Sequence, residues 1–136
     1  MYRTPVVNFF VKKLTIKDFL SAFVPPTLWA IIIFLFSSQT TLPGFEESAY
    51  DFIFKKLAHI TVYLVLYLLV FRAVKLTSNE KNKNTLLLVP ITICLLYAIS
   101  DEFHQSLVPG RYATLRDIGY DMLGVSIAFL KKYGYI

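Results

Sequence analysis

Residues 97–124 read YAISDEFHQSLVPGRYATLRDIGYDMLG, and they place charged side chains between two strongly apolar segments. A charged residue at the centre of a membrane helix costs about 2.5–3.5 kcal/mol on insertion scales, so such residues need a structural or functional reason. Pro109 and Gly110 predict a turn between two polar groups. These groups consist of Asp101, Glu102 and Gln105 before the turn and of Arg111, Arg116, Asp117 and Asp121 after it. The stretch therefore predicts a polar site at a membrane surface.

The composition is typical of a membrane-embedded chain. Hydrophobic residues make up 56% of the 136 residues, which is high for a soluble domain of this size. The net charge is +5, but the basic residues stand at segment ends and in loops rather than along one face, so we expect no nucleic-acid partner. Cys94 is the single cysteine and lies in an apolar run, so we expect a packing residue and no intramolecular disulfide.

Four apolar segments predict an all-α integral membrane protein with four transmembrane helices in a small bundle. The segments span about residues 19–38, 52–74, 85–100 and 115–130. Pro25 and Pro26 leave two alternatives for the first helix: it begins after them, near Thr27, or it continues through them with a kink. We divide the chain into a basic cytoplasmic N-terminal segment, residues 1–18, and a four-helix transmembrane domain, residues 19–136.

The distribution of basic residues predicts the orientation of the chain. Ten of the fourteen Lys and Arg residues lie before the first apolar segment, at the end of the second or after it, and after the fourth. Cytoplasmic regions carry an excess of such residues, so we expect a multi-pass protein of the cell membrane with both termini in the cytoplasm. The unusual polar residues then fall in the outer half of the membrane.

Helical spacing predicts which polar side chains share a face in the second and third segments. Lys56, His59 and Tyr63 stand at i, i+3 and i+7, and we expect this face to point inward. His104 lies off the face that carries Asp101 and Gln105, so we expect His104 to be exposed in the loop. Trp29 is expected to be an interfacial anchor.

The fourth segment carries two carboxylates on one face. Asp117 and Asp121 stand one turn apart, and Gly124 and Ala128 form a pair of small residues that lets a neighbouring helix approach closely. Asp121 lies roughly 6 Å deeper than Asp117, at a rise of 1.5 Å per residue, so it is the carboxylate most in need of a partner. The alternatives for that partner are Lys56, His59 and Arg116.

Several spaced motifs together resemble the VanZ-like family. They are Ser-Ser-Gln at 37–39, K-x-x-H-x-x-x-Y at 56–63, D-E-x-x-Q at 101–105, P-G-R at 109–111 and R-D-x-x-x-D-x-x-G at 116–124. The resemblance covers about residues 28–130. One departure is Asp121, where the family pattern usually has asparagine, so a carboxylate at this position must be protonated or paired with a cation.

The resemblance implies a four-helix integral membrane protein of a family named for lowered susceptibility to the glycopeptide antibiotic teicoplanin. It implies no particular reaction. Teicoplanin acts on peptidoglycan precursors outside the cell and carries a lipid tail. The expected site faces that side, where a lipid head group, a lipid-linked wall precursor or the antibiotic itself is within reach.

Three functions are compatible with these residues. The first is a binding module for an anionic or amphiphilic envelope molecule. The second is an enzyme acting on a lipid phosphate or a lipid-linked sugar, with His59, Glu102 or Asp117 as catalytic candidates and aspartates holding a divalent metal. The third is a structural bundle or partner subunit, in which a buried polar network fixes helix packing without a ligand.

For the binding module, the candidate residues supply cations for the ligand and acceptors that orient these cations. They are Gln39, Lys56, His59, Tyr63, Asp101, Glu102, Gln105, Arg111, Arg116, Asp117 and Asp121. The sequence contains no zinc-ligand spacing and no Walker loop, so we assign no resident metal and no cofactor. The expected partner is a membrane lipid or lipid-linked envelope molecule, and the chain is compatible with a homo-oligomer.

Overall fold

A computed structural model describes residues 14–40, 48–78, 83–111 and 113–136. The chain forms four helices, α1 (Ile16–Ser37), α2 (Ser48–Thr77), α3 (Lys83–Ser106) and α4 (Leu115–Lys132), and the described residues contain no strand. The predicted all-α fold is therefore confirmed. Most of the predicted N-terminal segment, residues 1–18, lies outside the described residues, and its last three residues already belong to α1.

Three helices are long and apolar enough to cross a membrane: α1, α2 and α3. The expected fourth span does form a helix, α4. Among the described residues, however, α4 is not one of the helices apolar enough to cross a membrane. It is 18 residues long and contains Arg116, Asp117, Asp121, Lys131 and Lys132. The expectation of four spans is thus confirmed for three helices, and the charged composition of α4 does not support the fourth.

α1 begins before the point that the sequence predicted and continues through Pro25 and Pro26. Thr15 caps its start: the Thr15 Oγ1 atom accepts a hydrogen bond from the Asp18 backbone N–H at 3.1 Å, and the Asp18 carboxylate accepts one from the Thr15 backbone N–H at 3.2 Å. This reciprocal capping box satisfies two backbone donors and fixes the first turn. Of the two alternatives for the first helix, the one that continues through the prolines is correct.

The core lies where α2 faces α3 and α4. Tyr63 and Tyr67 of α2, Cys94 and Ala98 of α3 and Val125 of α4 are buried there. The predicted packing role of Cys94 is confirmed, because its side chain is fully buried in this cluster.

Two hydrogen bonds from aromatic side chains fix α1 against its neighbours. Trp29 Nε1 donates to the Val62 backbone oxygen of α2 at 2.9 Å, and the Tyr97 hydroxyl of α3 donates to the Ala30 backbone oxygen at 2.6 Å. Buried aromatic N–H and O–H groups usually require such partners. These contacts hold α1 alongside the end of the bundle that contains the polar residues.

Candidate functional site

Two polar pairs connect α2 to α4. Lys56 Nζ forms an ion pair with Asp117 Oδ1, and His59 Nδ1 contacts Asp121 Oδ1 at 2.8 Å. The pairs lie about one helical turn apart, because the cations are three residues apart on α2 and the carboxylates are four residues apart on α4. Asp121 is fully buried, so its contact with His59 offsets part of the cost of removing that carboxylate from water.

A second polar cluster forms at the end of α3. This helix continues to Ser106, so Asp101 and Gln105 are part of a regular helix and lie one turn apart. Gln105 Nε2 donates to Asp101 Oδ2 at 3.0 Å and approaches the Ser37 hydroxyl of α1 at 3.4 Å. The three side chains are buried, and they join the end of α1 to α3.

The turn after α3 directs Arg111 back toward α1. The Arg111 backbone N–H donates to the Val108 oxygen at 3.1 Å, and Gly110 between them has a φ of 80°. A type II turn requires this positive φ at its third residue and favours proline at its second, which here is Pro109. The predicted turn at Pro109 and Gly110 is thus confirmed.

Arg111 binds neutral acceptors. Its Nη2 atom donates to Gln105 Oε1 at 2.8 Å, and its Nη1 atom lies 3.3–3.5 Å from the backbone oxygens of Phe36, Ser37 and Gln39. The Phe36 and Ser37 carbonyls belong to the C-terminal end of α1, and Gln39 follows directly after it; a cation at this end also interacts favourably with the helix dipole. Among the described residues Arg111 has no carboxylate partner, so its positive charge is not neutralised by an ion pair.

Glu102 lies beside the first turn of α4. Its Oε2 atom accepts a hydrogen bond at 2.9 Å from the backbone N–H of Thr114, the residue that caps the start of α4. A carboxylate at this position is favoured by the helix dipole. Glu102 also approaches His59 and Asp121, and one metal-ligand-type atom from each of the three residues lies within 4.8 Å of the others.

A cavity of about 560 Å³ extends between α1 and α2 to this polar end of the bundle. Trp29, Ile32, Phe36, Phe54 and Val62 contribute its apolar wall. Its polar lining consists of Ser37, Thr40, Lys55, Lys56, His59, Tyr63, Asp101, Gln105, Arg111 and Asp117. An apolar cavity with a few convergent polar groups is the usual form of a ligand site.

The structure brings most of the predicted site residues together. Those that line the cavity are Lys56, His59, Tyr63, Asp101, Gln105, Arg111 and Asp117, while Glu102 and Asp121 lie next to His59. Gln39 and Arg116 do not line the cavity; both side chains are exposed. Gln39, which follows α1, donates from Nε2 to the Leu35 oxygen in the last turn of that helix at 3.4 Å. Of the three expected partners of Asp121, which were Lys56, His59 and Arg116, the structure shows His59.

The structure contradicts the expected position of His104 and gives Trp29 a contact that the sequence did not predict. His104 belongs to α3 rather than to a loop and is half-buried: its Nε2 atom lies 3.0 Å from the Ser38 hydroxyl, and its ring stacks on Phe34 with centroids 4.4 Å apart. Trp29 was expected to be an interfacial anchor but is hydrogen-bonded to α2 and lines the cavity. Spacing within one segment could not reveal either contact, because both join different helices.

The apolar helices and the buried polar cluster indicate a small helical membrane protein. The chain belongs to the VanZ/LLP1 family, whose model matches residues 10–131. This match confirms the resemblance carried by the spaced motifs. No curated protein and no solved structure matches the chain.

Proposed function

We propose that this VanZ/LLP1 protein binds an amphiphile with an apolar chain and an anionic head group in the cavity between α1 and α2. The observation that carries the proposal is the composition of the cavity, which joins an apolar wall to a polar end containing Lys56, His59 and Arg111. Ile32, Phe36 and Phe54 are also exposed on the surface of the helices, so the apolar wall is continuous with surface suited to acyl chains. Arg111 provides a cation whose charge no described carboxylate neutralises.

The proposed location is the cell membrane, with both termini in the cytoplasm and the cavity at the outer side. Basic residues before and in the first turn of α1, at the end of α2 and just after it, and in the last turn of α4 support this orientation. We include α4 as a fourth span, because Asp117 and Asp121 are buried against α2 whereas its remaining charged residues stand at its two ends. At 1.5 Å per residue, α4 extends about 27 Å, close to the thickness of the hydrocarbon layer.

The ligands that fit this chemistry are an anionic membrane lipid, a lipid-linked wall precursor and a lipoglycopeptide such as teicoplanin. All three combine an acyl or prenyl chain with a polar, ionisable head. Membership of a family named for teicoplanin susceptibility supports lowered susceptibility as the cellular effect. Two modes of binding are consistent with that effect: binding of teicoplanin itself, and binding of the lipid-linked precursor on which teicoplanin acts.

Trp29 allows a direct binding measurement, because it is the single tryptophan of the chain and lines the cavity. Lipids with brominated acyl chains quench tryptophan on contact. In detergent solution we expect brominated phosphatidylglycerol to quench Trp29 at lower concentration than brominated phosphatidylcholine, and Arg111→Gln to abolish the difference. Lys17→Gln, which removes one exposed cation from the first turn of α1, is the charge-matched control and should retain it.

Equal quenching by the two brominated lipids would contradict selectivity for an anionic head group. If Lys17→Gln abolished the difference as Arg111→Gln does, the assignment of that selectivity to Arg111 would be contradicted. The antibiotic role has a separate test: teicoplanin and vancomycin tolerance of a bacterium expressing wild type or Arg111→Gln at equal membrane abundance. Loss of teicoplanin tolerance in the variant supports the role. Identical tolerance with and without the protein would rule it out and leave lipid binding to be judged by fluorescence.

The contact between His59 and Asp121 favours a second candidate function, hydrolysis of a lipid phosphate or lipid-linked sugar. A carboxylate that orients an imidazole at the wall of a cavity is a common general-base arrangement. Purified protein should then release phosphate or sugar from such lipids, and His59→Gln should abolish the release while membrane abundance holds. Loss of abundance in that variant would instead favour the third function, a packing network without a ligand.

A further inference from the structure

His59 of α2, Glu102 of α3 and Asp121 of α4 form a group of three ligand-type side chains from three different helices. One ligand atom from each residue lies within 4.8 Å of the others. Metal–ligand bonds of about 2.0–2.2 Å place three ligand atoms around one ion at mutual distances of about 3–4 Å, so the side chains would close around the ion by up to about 1 Å. We propose that His59, Glu102 and Asp121 bind one divalent cation.

Unsatisfied oxygen atoms at the same place provide an independent observation. Asp121 Oδ2 and Glu102 Oε1 are buried and have no hydrogen-bond partner among the described residues, although the second oxygen of each carboxylate is bonded. The exposed fraction is 0% for Asp121 and 4% for Glu102. A buried charged oxygen without a partner is strongly unfavourable, and a cation bound between the two carboxylates would satisfy both.

The balance of charge around the cluster also favours a cation. Four carboxylates are buried at this end of the bundle: Asp101, Glu102, Asp117 and Asp121. Lys56 neutralises Asp117, and Arg111 is bound to an amide and to backbone carbonyls rather than to a carboxylate. Even a protonated His59 would leave negative charge in excess. A divalent cation would neutralise the pair formed by Glu102 and Asp121.

The donor atoms indicate the class of metal. Ca²⁺ and Mg²⁺ prefer sites made entirely of oxygen ligands, whereas a site with one imidazole and two carboxylates suits Zn²⁺, Mn²⁺ or Fe²⁺. Three protein ligands are also typical of sites that retain a position for water or substrate. Because His59 also lines the large cavity, an ion bound here would lie next to the proposed amphiphile site.

The test measures metal binding by the full chain in detergent, without lipid. We expect metal-free protein to bind one equivalent of Mn²⁺ or Zn²⁺, seen by elemental analysis after desalting, and to unfold at higher temperature when the ion is added. Glu102→Gln keeps the size of the side chain and its acceptor for the Thr114 N–H but removes a charge. We expect it to weaken binding by at least about ten-fold, the lower range found even for residues that only support metal ligands.

Asp51→Asn is the matched control, because Asp51 is a carboxylate of α2 in a partly exposed pair with Lys55. This variant should bind the ion as wild type does. Glu102→Gln should fold in the absence of metal, since it keeps the bond from Thr114 and removes a buried charge whose Oε1 atom has no partner among the described residues. Loss of the thermal shift then cannot be ascribed to misfolding. His59→Ala provides a second ligand variant and should also lose the shift.

Two results would overturn the inference. One is wild-type protein that, after addition of Zn²⁺ or Mn²⁺ and desalting, retains no more metal than wild-type protein stripped by chelator. The other is an unchanged thermal shift in both Glu102→Gln and His59→Ala. Neither result affects the fluorescence test of amphiphile binding, which is performed in the presence of chelator, so the two proposals fail independently.

Discussion

Gly124 of α4 lies directly against the backbone carbonyl of Ile60 of α2: a Cβ atom built on Gly124 would be 2.1 Å from the Ile60 oxygen. No side chain larger than hydrogen fits at this distance. The contact occurs one turn beyond Asp121, so the close approach of the two helices is what brings the carboxylates of α4 within reach of Lys56 and His59.

Gly124→Ala is therefore expected to destabilise the bundle. The clash involves backbone rather than a flexible side chain, so the helices must separate, at a cost of about 3 kcal/mol in the free energy of unfolding. Gly119→Ala is the control, since a Cβ at Gly119 meets nothing within 4 Å and alanine is the better helix former by up to about 1 kcal/mol. Unfolding in mixed detergent micelles compares the two, and equal stability would contradict the close packing.

Arg72 should compensate for Pro25. The proline cannot donate to the Ser21 carbonyl, and Arg72 Nη1 donates to that oxygen at 2.6 Å, with Nη2 at 2.9 Å from the Ser21 hydroxyl. We expect Arg72→Ala to destabilise the wild type more than the Pro25→Ala background, where an N–H is restored. A double-mutant cycle should give a coupling energy between Arg72 and Pro25 of about 0.6–1.7 kcal/mol. Zero coupling would show that Arg72 does not compensate for the hydrogen bond that Pro25 removes.

Lys56→Met should be costly because it leaves the Asp117 carboxylate without its ion-pair partner. The side chains of Lys56 and Asp117 are 20% and 10% exposed, and breaking a buried pair costs about 3 kcal/mol. Combining it with Asp117→Leu should restore much of the loss, because two apolar side chains need no partner.

The neighbouring pair of Lys55 and Asp51 provides the comparison. Its side chains are 38% and 25% exposed, so Lys55→Gln should cost only about 0.3–0.5 kcal/mol. The measurement is the free energy of unfolding of each variant in mixed micelles. A double variant less stable than Lys56→Met would contradict the assignment of Lys56 to Asp117.

Arg111→Lys should retain the charge but lose the fork of donors that joins Gln105 to the end of α1. We expect faster hydrogen exchange in the last turn of α1 and a higher concentration of brominated phosphatidylglycerol for half-quenching of Trp29. Arg116→Lys makes the same change at an exposed position of α4 and should alter neither quantity. Equal behaviour of the two variants would remove Arg111 from the site.

The sequence predicted the helices well because apolar length and helical spacing are local properties. Spacing also placed Lys56, His59 and Tyr63 on one face, and all three line the cavity. The depth of a residue in the membrane follows from its distance along the helix from the helix end. Polar residues far apart in sequence were therefore expected at the same membrane depth.

Lateral position could not be predicted in the same way. The choice of His59 rather than Arg116 as the partner of Asp121 depends on how α4 rotates against α2, which Gly124 and Ile60 determine. The Ser21 carbonyl that Pro25 leaves without its helical donor is bound by Arg72, which lies 51 residues away in sequence. The involvement of His104 depends on Ser38 and Phe34 of another helix. Each contact is a tertiary property.

The low hydropathy of α4 has a consequence for biosynthesis. A helix with two carboxylates in its first two turns is a poor substrate for membrane insertion on its own, at about 2.5–3.5 kcal/mol for a central charge. Lys56 and His59 belong to α2, which leaves the ribosome earlier. For the four-span topology proposed above, we therefore expect α4 to enter the membrane together with α2, which already carries the compensating charges.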